Sequence, residues 1–435
     1  MWKRTLGMCL LLAAMAVGQS MGGKIDPGIL AAIQKTPAID DHAHPPALPV
    51  NAIADTNYDA LPCPPNDPIP PTLTSEPTNP IYQQAWMALF GAHTAAQDLA
   101  AKARVKREQG RNYPNWVLQK LGIQVEFANR VAMGPGLGPP HFRWVAFDDA
   151  LLLPLDSSGL AMNPDLKFFF ERERMILQDD YLKPLHVTRP PATLDAYLSE
   201  VVIPTLEREK AEGAVAVKFE AAYLRPLNFH RPDMTAAREV YAAGGAPGAA
   251  QYYKLQDAIF HTIALEAGRL GLAVHIHTGF GCGSYFNIAG ANPALLMDVF
   301  NDPSLRHTNF VLLHAGLGPY TNIVAALLAK PNVYTDTSGQ TWLLTPAGIA
   351  HNLRTLLEYY PDKIMFGTDL SPGEGAIDWE EIGYQLENAA RDGLAMALTG
   401  MMRDHEVTRG QALEIAHAVM RGTARKLYPQ LRSPR

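Results

Sequence analysis

From Gly122 onward, the sequence alternates short apolar segments with longer stretches of helical periodicity. This alternation predicts a parallel α/β architecture, because each helix can return the chain to the start of the next strand. Helical stretches at residues 193–212 and 252–270 are typical of such connections. With one apolar segment near the N-terminus, the candidate strands number about eight and lie at residues 38–42, 124–129, 142–147, 214–219, 273–277, 309–314, 333–336 and 363–368. Eight such units predict a (β/α)8 TIM-type barrel.

A proline-rich segment follows the first candidate strand directly. Between Pro45 and Pro80, prolines recur too often for a helix or a central strand. Helical patterns at residues 82–106 and 116–121 come next. A loop this long in a compact domain is usually functional or disordered. Because barrel active sites lie where the strands end, residues 45–120 are predicted to form a cap insertion over the site.

Composition limits the classes of partner. The chain has 435 residues, 47% of them hydrophobic, which is enough for one large barrel domain over residues 25–435. Its net charge of −6 is small, and no basic run is present. These features predict no nucleic-acid partner and no membrane-surface partner, so the expected partner is a small-molecule substrate.

The N-terminus has the features of a secretory signal. Lys3 and Arg4 precede an apolar run at residues 6–17, and small residues follow at Ala16 and Gly18. We expect residues 1–24 to be a cleaved signal peptide and the protein to be exported to the periplasm, with an uncleaved anchor as the alternative. The mature chain would keep Cys63 and Cys282, and their sequence leaves open both a disulfide and two free thiols.

Polar residues occur at the ends of several candidate strands. His42 and His44 are spaced i, i+2, which places both imidazoles on one face of a strand. His277, His314 and Asp369 end later strands, and Lys218 lies near the end of another. Each of these side chains alone has a structural explanation, such as a buried histidine or a helix cap. Their order along the chain favours a shared metal ion, since buried polar groups need partners.

The chain resembles the amidohydrolase superfamily of metal-dependent barrel enzymes. More narrowly, it is similar to the amidohydrolase-related family (amidohydrolase 2), in the branch containing the amidohydrolase domains of nodulin-like and fungal sporulation glutamine-synthetase fusion proteins. The resemblance rests on an ordered set of phrases between residue 38 and about residue 375, namely DDHAH, VKFEAAYLRPL, HIHTGFG, ANPALLMDVF, FVLLHAGLGPY, PNVYTDTS and IMFGTDLSP.

This resemblance implies roles for individual residues. His42, His44 and His277 would be metal ligands, with Asp369 as a ligand or general base. His314 would polarise the substrate or bind a second metal ion. Lys218 matches a position that is a carbamylated bridging ligand in binuclear members, and its alternative is a salt bridge to Glu220 or to a substrate carboxylate. One ion is favoured over two, and zinc is favoured over manganese, iron or nickel.

The chemistry expected of such a site is hydrolysis. A metal-activated water would cleave an amide-type C–N bond in a small molecule, with Asp369 and His314 as the catalytic groups. A decarboxylase or lactonase of the same fold is the first alternative, and a non-catalytic periplasmic binding protein is the second. A serine hydrolase is disfavoured because no G-x-S-x-G turn is present.

Substrate contacts are expected from residues that follow the strands. Tyr223 and Arg225 follow the candidate strand at 214–219, and Arg225 would clamp a carboxylate. Arg130, after the strand at 124–129, is a weaker candidate for the same role. Surface salt bridges are the alternative for both arginines. His275 is expected to be a buried, hydrogen-bonded histidine, with a spare metal ligand as the alternative. A homo-oligomer is expected from family habit alone.

Overall fold

The fold is a barrel of parallel strands surrounded by helices. The structure is a computed structural model that describes residues 25–49, 55–64 and 70–431. Within these residues one parallel sheet runs in the order β1 to β8. Its strands are β1 (Ala38–Ala43), β2 (Ile123–Arg130), β3 (Phe142–Phe147), β4 (Ala214–Phe219), β5 (Ala273–Ile276), β6 (Phe310–Leu312), β7 (Val333–Asp336) and β8 (Ile364–Met365). The predicted TIM-type barrel is therefore confirmed.

Backbone hydrogen bonds between the first and last strands bring the sheet round on itself. The Asp41 amide donates to the Phe366 carbonyl at 2.9 Å, and the Asp369 amide donates to the His42 carbonyl at 2.7 Å. The His44 amide donates to the Leu370 carbonyl at 2.6 Å. These bonds place the segment after β8 directly beside His42 of β1 and His44, which follows β1.

Helices form the outer layer around the barrel. They are α1 (Pro27–Lys35), α2 (Pro80–Phe90), α3 (Ala95–Gln109), α4 (Tyr113–Leu121), α5 (Pro164–Ile176), α6 (Leu194–Tyr197), α7 (Ile203–Ala211), α8 (Met234–Ala243), α9 (Ala249–Leu270), α10 (Met297–Phe300), α11 (Thr321–Leu327), α12 (Gln340–Leu343), α13 (Pro346–Tyr359), α14 (Trp379–Arg403), α15 (Arg409–His417) and α16 (Thr423–Leu427). Segments of π-helix at Leu177–Leu182, Leu198–Val202 and Ala418–Gly422 continue α5, α6 and α15.

Two sequence-based boundaries differ from the structure. The helix expected at 82–106 is divided into α2 and α3, because Gly91 ends α2 in the left-handed conformation at φ 67°. The strands expected at 309–314 and 363–368 are shorter, since β6 ends at Leu312 and β8 at Met365. His314 and Asp369 therefore lie just beyond their strands.

Tyr428, close to the last of the described residues, packs into the barrel interior. Tyr428 follows α16 and is buried among inward-facing strand residues such as Ile39 and Val311. Its ring makes an edge contact with Phe127, with 4.7 Å between centroids. The Tyr428 hydroxyl lies 2.6 Å from His275 Nε2. His275 is thus a buried, hydrogen-bonded histidine and faces Tyr428.

The segment after β1 covers the carboxyl ends of the strands. Cys63 in this segment forms a disulfide with Cys282, which follows β5, and the two Cα atoms are 5.6 Å apart. Of the two states that the sequence left open, the structure contains the bridge. Helices α2 to α4 lie on the flank of the barrel, where Lys102 of α3 pairs with Glu381 of α14 at 2.6 Å.

The expected signal peptide at residues 1–24 lies outside the described residues. Of the helices that the structure describes, none is both long and apolar enough to cross a membrane.

Candidate metal-binding site

His42 of β1, His44 just after β1 and Asp369 after β8 form the centre of the site. His42 and His44 are only 1% and 3% exposed. His42 Nε2 lies 3.1 Å from Asp369 Oδ1, and His44 Nε2 lies 3.4 Å from the same oxygen. Ligand atoms about 2.05 Å from a tetrahedral zinc ion are about 3.3 Å apart. Each of these two distances is close to that spacing, so Asp369 is placed to share a metal ion with His42 or with His44.

The position of Asp369 depends on an unusual backbone conformation. Its φ is 64°, in the left-handed region that non-glycine residues seldom adopt. Its amide is held by the His42 carbonyl, and its own carbonyl accepts from Trp342 Nε1 at 2.9 Å. Such conformations persist where the surrounding contacts over-determine them, often at functional sites. These contacts turn the carboxylate towards the imidazoles.

A second pair of imidazoles faces the same centre. His314 Nε2 lies 3.0 Å from His277 Nδ1, and His314 Nδ1 lies 3.8 Å from Asp369 Oδ2. One donor atom from each of His42, His314 and Asp369 can be chosen so that all lie within 4.8 Å of one another. Predicted ligands up to 327 residues apart in sequence, from His42 to Asp369, are thus brought to one place.

The tautomers of the second pair follow from their other hydrogen bonds. His277 Nε2 lies 2.9 Å from the Phe280 carbonyl, so Nε2 carries the proton and Nδ1 has a lone pair. Asp336 Oδ1 accepts from both the His314 amide and the Ser338 hydroxyl, so His314 Nδ1 donates to Ser338. Lone pairs of His277 and His314 then face each other, an arrangement that a cation would stabilise.

Protonation in the site favours metal binding. Burial lowers the pKa of His42 and of His277 well below the usual value, and the Lys218 charge adds to this effect. Burial lowers the pKa of His314 to about 3. Burial would raise the pKa of Asp369, but the surrounding imidazoles lower it well below its usual range. At neutral pH, His42, His277 and His314 are therefore neutral imidazoles and Asp369 is an ionised carboxylate, the forms that bind divalent metals.

Lys218 lies next to this donor set. It is fully buried on β4, with its Nζ 3.5 Å from His42 Nε2 and 3.5 Å from Glu220 Oε1. The salt bridge to Glu220, one of the sequence-based alternatives, is thus present. Lys218 is close enough to the ligands to influence them electrostatically.

A cavity of about 400 Å³ opens above His42, His44 and Asp369. The cap contributes Asp59, Leu61 and Cys63 to its wall, and Trp342 covers another side. Tyr223 also lines the cavity, where its ring lies 4.9 Å from that of His277. Contact between Tyr223 and a substrate remains a prediction, and the position of Tyr223 in the cavity wall supports it.

The two arginines expected at the substrate lie elsewhere. Arg225 pairs with Asp257 of α9 at 3.0 Å, and its guanidinium lies 4.2 Å from the centroid of the Phe229 ring. Arg130 makes two hydrogen bonds to Asp55, at 2.8 and 2.9 Å. Both guanidinium groups are buried, and neither arginine lines the cavity. The expectation that these arginines bind a substrate carboxylate is therefore corrected, because the charge of each guanidinium group is already neutralised by an aspartate.

Sequence reasoning missed several residues of the site. From sequence, Glu220 is expected only as a salt-bridge partner of Lys218. Its position directly after β4 is a signal that it lines the cavity. Ser338 follows β7 and positions His314, and this strand-end place was an available signal. Asp59 lies in the irregular cap, where spacing carries no information.

Comparisons with known proteins agree with this architecture. The sequence profile described as amidohydrolase matches residues 186–430. A protein from Lactobacillus casei described as a metal-dependent hydrolase is 16% identical, with 95% of this chain and 100% of that chain covered at a TM-score of 0.59. A uronate isomerase from Bacillus halodurans is 11% identical, with 92% and 95% covered at a TM-score of 0.58. A glucuronate isomerase from Caulobacter crescentus is 12% identical, with 94% of each chain covered at a TM-score of 0.57.

At these identities the structural likenesses show the shared fold alone. No curated protein sequence matches the chain significantly.

Proposed function

The chain belongs to the amidohydrolase family, and from this premise we propose that it is a metal-dependent hydrolase that cleaves an amide-type C–N bond in a small molecule. The observation that carries the proposal is the approach of His42 Nε2 and His44 Nε2 to Asp369 Oδ1, at 3.1 and 3.4 Å, on the floor of a cavity. These residues lie at the carboxyl ends of the barrel strands, which is where the active sites of this fold are found.

One divalent ion, most suitably zinc, would be held by His42, His44, His277 and Asp369. Nitrogen and oxygen donors of this kind suit zinc, and manganese, iron and nickel accept the same set. When bound, the ion supplies an activated water near neutral pH and polarises the bond under attack. The rest of the chemistry belongs to the side chains.

Asp369 would move the proton. Its carboxylate is ionised, and its side chain is 25% exposed towards the cavity, so it can accept a proton from the attacking water. Cleavage of a C–N bond requires that the leaving nitrogen receive a proton. Asp369 can return the same proton to it, which leaves the carboxylate ready for another turnover.

His314 would act through Nε2, whose lone pair could bind the ion or accept a substrate N–H, and it would polarise a substrate carbonyl only after Nε2 takes up a proton. Ser338 and Asp336 hold its Nδ1 side, so the ring is fixed and Nε2 points towards His277 and the centre. Such supporting hydrogen bonds fix tautomer and ring orientation. Lys218, paired with Glu220, would remain a cation beside a single ion, whereas a carbamylated Lys218 would bridge two ions.

Export fits the same proposal. A disulfide between Cys63 and Cys282 is typical of proteins that fold in an oxidising compartment, which supports a periplasmic location. Homo-oligomerisation and the nodulin-like branch remain predictions, to be tested by solution mass and by closer sequence relatives.

The test is a product screen on the mature protein. Metal-loaded enzyme is incubated with a library of small amides, lactones and aromatic acids, and ammonia or amine, acid and carbon dioxide are measured. Release of ammonia or amine that stops after chelation and in Asp369→Asn supports the proposal. Asp156→Asn, an exposed aspartate far from the cavity, is the matched control.

The alternatives give different products. Acid without ammonia would identify a lactonase, and carbon dioxide a decarboxylase. Protein that binds no metal and releases none of these products would support a non-catalytic binding protein.

A further inference from the structure

Two carboxylates form one side of the cavity, away from Asp369. Asp59 comes from the cap and Glu220 follows β4, and both line the cavity. We call this pair the acidic wall. One donor atom from each carboxylate and one from His44 lie within 4.8 Å of one another. Glu220 is 4% exposed, and the Asp59 side chain is 16% exposed.

Separate parts of the fold hold the acidic wall in place. The Leu61 amide donates to Asp59 Oδ1 at 3.1 Å. Arg172 of α5 donates to the backbone carbonyls of Asp59 and Ala60 from outside the cavity. The Glu220 amide donates to Asp149 at 2.7 Å. The two carboxyl groups also contact each other: burial first, and then the charge of Asp59 and a side-chain hydrogen bond to it, raise the pKa of Glu220 well above its usual value.

On the cavity side, no Lys or Arg side chain among the described residues pairs with the acidic wall. Lys218 Nζ, 3.5 Å from Glu220 Oε1, can compensate one carboxylate. Glu220 Oε2 is buried and has no hydrogen-bond partner. Among the cavity-lining residues that the structure describes, none is Lys or Arg. Residues 50–54 and 65–69 of the cap also contain neither Lys nor Arg. Buried carboxylates without partners are costly, so the wall is built for a positively charged partner.

The hydrogen bonding of His44 argues against a metal ion as that partner. His44 Nδ1 donates to the Tyr58 carbonyl at 3.1 Å, and its Nε2 faces Asp369. His44 therefore has no lone pair for the acidic wall, which leaves only two protein carboxylates. An ammonium or guanidinium group, by contrast, has several N–H donors and pairs well with two carboxylates.

We propose that the acidic wall binds a positively charged group of the substrate, a primary ammonium or a guanidinium, while the scissile bond lies at His42, His44 and Asp369. The substrate class is thus a small amide that carries a cationic substituent. This inference rests on the proposed function, because it places the reacting bond at the metal site. It also agrees with the positions of Arg130 and Arg225, which leave no clamp for an anionic substrate.

Hydroxamates provide a direct binding test, because the hydroxamate group chelates the metal ion whatever the natural substrate is. Three series are compared by calorimetry on metal-loaded protein, each with two to four methylene groups between the hydroxamate and a terminal ammonium, methyl or carboxylate group. We expect the best ammonium compound to bind at least tenfold more tightly than its methyl counterpart, and the carboxylate compound to bind most weakly.

Variants locate the effect. In Asp59→Asn and in Glu220→Gln the ammonium compound should lose most of its advantage, while the methyl compound keeps its affinity. Glu76→Gln, an exposed carboxylate in the cap that does not line this cavity, is the matched control and should behave as wild type. Melting temperatures confirm that each variant is folded.

Each result decides the proposal. Equal binding of the ammonium and methyl series in wild type would overturn the acidic wall as a cation site and leave the metal-dependent hydrolase intact. Failure of every hydroxamate to bind would overturn the metal centre, and the cation site with it. A second equivalent of zinc that is bound by wild type and lost in Asp59→Asn would assign the wall to a metal ion instead.

Discussion

The disulfide between Cys63 and Cys282 gives a prediction whose size follows from the structure. The two cysteines are separated by 219 residues, so the bridge closes about half of the chain into a loop. In the chain-entropy description, a loop of this length restricts the unfolded state by about 5 kcal/mol at 25 °C. Measured effects are usually about 2–4 kcal/mol, because unfolded chains keep some structure. Loss of the bridge should therefore lower the free energy of unfolding by about 2–5 kcal/mol.

Cys63→Ser is the suitable variant. Cys63 is exposed whereas Cys282 is 4% exposed, so the substitution removes the bridge without creating a buried cavity. The assay is urea unfolding followed by circular dichroism, with oxidised wild type, reduced wild type and the variant in parallel. Reduced wild type should match the variant, and reductant should not change the variant further. Equal midpoints for all three samples would refute the loop-closure reasoning.

The same variant should affect ligand binding. Asp59 and Leu61 line the cavity a few residues before Cys63, so the bridge fixes this part of the cap above the metal ligands. Without it, we expect weaker hydroxamate binding and a larger change in KM than in kcat. An unchanged KM would show that the cap is positioned by its other contacts, including those of Arg172.

Further predictions concern the metal ligands, their support and a buried carboxylate. Asp369→Asn should reduce turnover by about 10²–10⁴-fold with little change in melting temperature, since it removes the proton carrier; near wild-type turnover would contradict that role. Ser338→Ala should reduce turnover or metal affinity by about 10–100-fold, because it removes the hydrogen bond that orients His314; metal titration and kinetics measure both. Burial raises the pKa of Glu209, and Asp148 adds to this. The folded state therefore holds a proton that the unfolded state loses above about pH 4.3, so stability falls as pH rises. Glu209→Gln should increasingly stabilise the protein relative to wild type between pH 4 and pH 8, and a constant difference in unfolding free energy over that range would contradict this sign.

The strands could be predicted from sequence because each is a buried apolar run between helical stretches. The ends of β6 and β8 could not, because His314 and Asp369 leave the extended conformation for positive φ. No sequence pattern predicts that a histidine or an aspartate adopts the left-handed backbone conformation. Gly91 did contain a signal, since glycine favours the conformation that ends α2, but apolar periodicity continued across it.

The grouping of the predicted metal ligands follows from strand order, which fixes which strand ends meet. Barrel geometry places every strand end on one rim, so a histidine at the end of β5 and an aspartate after β8 become neighbours. The substrate side follows no such rule. Arg225 and Arg130 follow strands, but their partners Asp257 and Asp55 come from α9 and from the irregular cap. Side-chain pairing of that kind depends on tertiary packing, which residue spacing does not encode.

The most direct test of the metal centre is to locate and count the ion. Purified protein is stripped with a chelator, reloaded with zinc, measured by mass spectrometry of the metal and examined by anomalous diffraction. The account predicts one tightly bound ion per chain, with its anomalous peak between His42, His44 and Asp369, and loss of that ion in His42→Ala/His44→Ala. Protein without a stoichiometric ion, or with its ion bound only at Asp59 and Glu220, would contradict it.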